Sequence, residues 1–103
     1  MDETKKQKLI EYWIDGSEDD WDTMSILYDN KKFVYSLFFL HLSIEKILKA
    51  LYVKKNSLQA PPIHNLSELV KGSKIIIDIS QQKFITTLLP FYIQARYPDA
   101  KKE

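Results

Sequence analysis

The stretch from Lys31 to Lys55 limits the possible folds more than any other part of the chain. Placed on a helix, Phe33, Leu37, Leu40, Ile44, Ile47 and Leu51 form one apolar stripe, with Val34, Phe38, Leu48 and Tyr52 beside it. Only Lys32, Ser36, Ser43, Ala50 and Lys54 leave a narrow strip that is hydrophilic or small. A helix apolar over most of its circumference must be central in its fold or shared across an interface. Ser36, Ser43 and Ala50 recur seven residues apart, so another backbone can approach closely along that line.

The rest of the chain supplies helices to cover it. Two glycines and four prolines in 103 residues leave few breaks. A first helix is predicted from about Lys5 to Asp29, with Leu9, Trp13, Trp21, Met24 and Tyr28 on one face. Asp15-Gly16-Ser17 interrupts it; glycine costs ~1 kcal/mol inside a helix relative to alanine, so a bend or a close packing contact is expected there. Asp29-Asn30 marks a turn and a cap for the second helix. Asn56 to Ile63, with Pro61-Pro62, reads as a loop, and His64 to Val70 as a short helix stopped by Gly72. Ile75-Ile76-Ile77 is a loop or frayed helix, because a lone strand would have no partner. Ser80 is the expected cap of a last helix carrying Phe84, Ile85, Leu88, Leu89, Tyr92 and Ile93, kinked at Pro90. The expected fold is all-α: an up-and-down helical bundle of about four to five helices, one domain over residues 1–103.

Several function classes are closed off. Without cysteine there is no disulfide, thiol nucleophile or thiolate metal site. The N-terminus is charged and lacks the apolar core of a signal peptide, and the mostly apolar run from Tyr35 to Ile44 is too short to span a bilayer. A soluble cytoplasmic protein is expected, with no membrane partner. Fifteen basic against fourteen acidic side chains give a net charge of +1, so nucleic acid can be held only by a local patch.

The one arginine, Arg96, stands in Ala95-Arg96-Tyr97-Pro98-Asp99, whereas fourteen lysines carry the remaining positive charge. Arginine is a planar fork that grips phosphate or carboxylate through two bonds. Arg96 therefore reads either as a phosphate clamp or as an internal salt bridge to Asp99 or the first helix. His41 and Glu45 are one turn apart, as a buried hydrogen-bonded pair or as a carboxylate orienting a catalytic imidazole. His64 sits at a helix start, where it can cap backbone groups. A metal site from His41, Glu45 and His64 lacks a third strong ligand, so no metal or cofactor is expected. Lys46 and Lys49 read as a solvated edge, Asp15, Glu18, Asp19, Asp20 and Asp22 as a solvated face or a surface for a basic partner, and Lys101-Lys102 as a small basic end.

Four sequence elements follow one another in order. They are Tyr12-Trp13 with Asp19-Asp20-Trp21; Glu45-Lys46 with Leu48-Lys49-Ala50; Pro62-Ile63-His64-Asn65-Leu66; and Arg96-Tyr97-Pro98. In this the chain resembles the HEPN domain family over about residues 10 to 99. The resemblance implies a helical bundle that dimerises through its long helices and acts with a small nucleotidyltransferase in a two-component, toxin–antitoxin-like module. It implies nucleotide or RNA-phosphate binding through Arg96, with Tyr97 stacking or hydrogen-bonding, Asp99 orienting Arg96, and Glu45 and His64 nearby. Some members are metal-independent ribonucleases that pair an arginine with a histidine about four to six residues further on. No histidine follows Arg96 here, so a ribonuclease would use Arg96 at a dimer cleft with His41 or His64 for proton transfer. The resemblance also implies one more helix than the chain carries after Arg96.

Overall fold

The computed structural model describes residues 1–97. Four helices follow in order: α1 (Glu3–Asp29), α2 (Phe33–Asn56), α3 (Leu66–Gly72) and α4 (Ile79–Arg96), an all-α bundle. No helix among the described residues is long and apolar enough to cross a membrane.

The helix ends differ from expectation where two polar residues competed for one role. Asn30 closes α1, its backbone N–H donating to the Ile26 carbonyl at 3.1 Å and its Nδ2 to the same carbonyl at 2.8 Å, while the Lys31 N–H donates to Tyr28; α2 begins without a side-chain cap. Asn65, not His64, caps α3 by accepting from the Glu68 N–H at 3.1 Å. Asp78, not Ser80, caps α4 in a reciprocal box with Gln81. Ile75 to Ile77 is the connector between α3 and α4, and α4 continues through Pro90.

Helix α2 is the central element. Helix α1 packs on it alone, and α3 and α4 pack on it and on each other. The strip of small residues is where α1 comes close. Ser17 Oγ donates to the Ser43 carbonyl at 2.8 Å, Ser43 Oγ returns a bond to the Ser17 carbonyl at 2.9 Å, and Ser36 Oγ donates to the Met24 carbonyl at 2.9 Å. Gly16 belongs to this contact and does not break α1: a Cβ there would come within 3.0 Å of Lys46 Cδ.

On the other side Leu48, Leu66, Leu69, Val70 and Leu88 form the buried core, each contributing about 1.5–3 kcal/mol by leaving water. Ser73 Oγ ties α3 to α2 through the Leu48 carbonyl at 2.9 Å. Gly72 lies so close to Tyr52 that an added Cβ would stand 2.7 Å from its ring.

Candidate functional site

Helix α4 directs Tyr92 at α2, where it is 7% exposed, and places Arg96 one turn further on. Tyr92 is the centre of a polar–aromatic cluster. The His41 ring stacks on it at 4.3 Å between centroids, Phe38 at 5.5 Å, and His64 leans toward it at 5.9 Å. The Arg96 guanidinium carbon also lies 5.9 Å from the ring centre. Burial pushes the Tyr92 phenol above its ordinary range, partly offset by Arg96.

Beside this stack is Glu45, a carboxylate only 4% exposed. The residue one turn before it is not its hydrogen-bond partner: His41 Nδ1 stands 3.8 Å away and is buried with no hydrogen bond among the described residues. Instead His64 Nδ1 lies 3.2 and 3.1 Å from the two Glu45 oxygens, and Lys49 Nζ lies 3.2 Å from Oε2. Lys49 is buried, its ammonium 5.1 Å from the centre of the Trp13 ring, so it is no solvated edge. Lys46 is half-buried and pairs at 2.7 Å with Asp20, the one member of the acidic cluster on α1 that is buried.

Burial lowers the His41 pKa to about 4, against the opposing pull of Glu45. His41 is therefore a neutral ring under Tyr92 at ordinary pH. His64 is half-exposed, with one nitrogen on a buried carboxylate.

Arg96 is exposed and pairs with no carboxylate among the described residues. Its one side-chain hydrogen bond there runs from Nε to the Tyr97 hydroxyl, at 3.3 Å. That bond, followed by the fields of Tyr92 and Tyr97, raises the guanidinium pKa further. Among the described residues the terminal nitrogens of the fork have no hydrogen-bond partner. Asp99, expected to orient Arg96, lies outside the described residues, as do Lys101 and Lys102.

His41, His64 and Arg96 thus lie around one aromatic ring, with Glu45 bonded to His64 and Tyr97 to Arg96. Sequence reasoning missed Tyr92 as the ring they share and Lys49 as the cation on Glu45. The available signal was the one-turn spacing from Tyr92 to Arg96. Among the described residues no three of His, Asp and Glu gather to hold a metal ion.

A family model described as HEPN domain matches residues 10–103. No curated protein and no solved structure matches the chain.

Proposed function

Because the chain belongs to the HEPN domain family, we propose that it binds the phosphate of a nucleotide or RNA through Arg96. The observation that carries this reading is the Arg96 fork, which pairs with no carboxylate among the described residues, is braced at Nε by Tyr97 and is backed by the Tyr92 ring. An arginine held by its inner nitrogen presents two outer nitrogens in the geometry a phosphate accepts. Tyr97, half-exposed beside it, offers a surface for a base. In this reading the protein is cytoplasmic, forms a homodimer and works with a small nucleotidyltransferase in a toxin–antitoxin-like module. An exposed apolar face supports a macromolecular partner: Trp21 and Ile47 line a cavity of about 500 Å³ between α1 and α2. The test is calorimetric titration with nucleotides and short RNA. Arg96→Ala should weaken binding about tenfold or more, the loss typical of a charge-assisted bond; unchanged binding would refute the role of Arg96.

A second reading, a metal-independent endoribonuclease, is favoured by the two imidazoles against the same ring as Arg96. The RNA 2′-oxygen would bond to phosphorus as the P–O5′ bond breaks, leaving a 2′,3′-cyclic phosphate. His64, the half-exposed imidazole, would take the 2′ proton, the leaving oxygen would gain one from solvent, and Arg96 would stabilise the charge on phosphorus. Cleavage in EDTA that Arg96→Ala abolishes would establish it.

A further inference from the structure

We propose that the open cleft formed by α1, α2 and the start of α4 is a docking groove for an amphipathic helix of another protein, one that carries lysine or arginine along an edge. The proposal is independent of the Arg96 reading, because neither Arg96 nor Tyr92 lines the cleft.

Helix α2 is apolar over most of its circumference, so it needs cover on most sides. Helix α1 covers one side, and α3 and α4 cover another. Between them Ile47 is still 41% exposed. It lines a cavity of about 500 Å³ walled on the α1 side by Trp21, and a second cavity of about 500 Å³ is walled on the α4 side by Phe84. Trp21 is 53% exposed and Phe84 48%. Ile44 belongs to both cavities, so they form one cleft with α2 as its floor. A cavity of about 150 Å³ holds a benzene ring, so each half has room for a large apolar side chain. A helix presents such side chains in rows along one face, and those ridges fit the cleft between neighbouring helices.

Charge on the rim selects the occupant. Glu18 and Asp22, one turn apart on α1, line the first cavity with Trp21. Both are exposed, and among the described residues neither pairs with a lysine or arginine. The acid of α1 that does pair is Asp20, on Lys46. No lysine or arginine lines either cavity. A two-fold pair of copies would set this patch against itself, and its carboxylates would meet no cation in the facing cleft. A helix with a basic edge supplies the missing complement. Its apolar face fills the two cavities, while the rim charges fix its orientation and exclude acidic competitors.

The test is fluorescence anisotropy of labelled synthetic helices of about 18 residues, titrated with the full chain. One probe is leucine and lysine in amphipathic order; the other has glutamate in place of lysine. The lysine helix should bind saturably, and the glutamate helix about tenfold more weakly or not at all. Trp21→Ala alters an exposed side chain, so the fold tolerates it, and it should weaken the lysine helix about thirtyfold, the loss of a central aromatic anchor. Glu18→Gln combined with Asp22→Asn should weaken it about three- to tenfold, the size of two exposed ion pairs, and remove most of its salt dependence. Two probes that bind alike, or lysine-helix binding indifferent to Trp21→Ala or to the paired charge change, overturn the proposal. Absence of lysine-helix binding overturns it as well. A dimer in sedimentation velocity that Trp21→Ala dissociates would then assign the face to a second copy. Each of these failures leaves the Arg96 reading intact, since the nucleotide titration tests that separately.

Discussion

Replacing Glu45 with Met should unfold this protein far more readily than its single position suggests. Glu45 is 4% exposed and Lys49 is 5% exposed, with 3.2 Å between their charged atoms. Methionine fills the volume but leaves Lys49 buried, with only the Trp13 ring as a partner. Breaking a buried pair from one side costs about 3–5 kcal/mol, because the remaining charge has lost both water and its counter-ion. Against a total stability of about 5–15 kcal/mol for a small domain, that is a large fraction. Lys49→Met should cost less, about 1–2 kcal/mol, because Glu45 keeps His64. The double variant strands no charge, so it should be clearly more stable than Glu45→Met alone. Urea denaturation followed by helical circular dichroism at pH 7 gives all three values. A loss under about 1 kcal/mol for Glu45→Met, or strict additivity in the double variant, would refute the reasoning.

Three further predictions concern stability. The His41 pKa is about 4 when folded against 6.5 in the open chain, so the unfolded state binds the proton first. Stability should therefore fall as pH drops from about 6.5 to about 4, by about 3 kcal/mol in all, and His41→Phe should flatten that part of a pH series of urea melts. Gly72→Ala should cost about 1–3 kcal/mol, since the new methyl meets the Tyr52 ring at 2.7 Å, and Tyr52→Leu should recover much of it. Gly16→Ala should be near neutral in the same urea melts, because only the flexible Lys46 chain must shift and alanine favours the helix.

The fold was legible because its dominant element states its own demands. The apolar circumference of α2 required cover on most sides, and its seven-residue strip of small side chains is where α1 docks through Ser17 and Ser43. Helix caps were less legible where two polar residues stood near one boundary. Asp78 takes the role expected of Ser80 because Gln81, three residues on, completes its box. At the site, Arg96 was legible from its rarity and Glu45 from its place in an apolar helix. The Glu45 partners were not. His41 has the right spacing, yet its ring is drawn onto Tyr92, and the carboxylate is taken by a residue nineteen positions away. Such a pairing depends on how the α2–α3 loop folds back, which no periodicity encodes. Lys49 was misleading for a related reason: its i,i+4 spacing from Glu45 suits a surface pair as well as a buried one.

The attachment of α1 to α2 alone has a consequence for local opening. Nothing in α1 depends on α4 being in place, so the two sides of α2 can come apart separately. Native-state hydrogen exchange should resolve two cooperative units, one being the α1–α2 hairpin and the other α3 with α4. Tyr92 and Arg96 are both on α4, so fraying of the second unit would dismantle the cluster around the Tyr92 ring while the hairpin persists. A ligand held at the proposed Arg96 site would then slow exchange in α4 and leave the amides of α1 untouched.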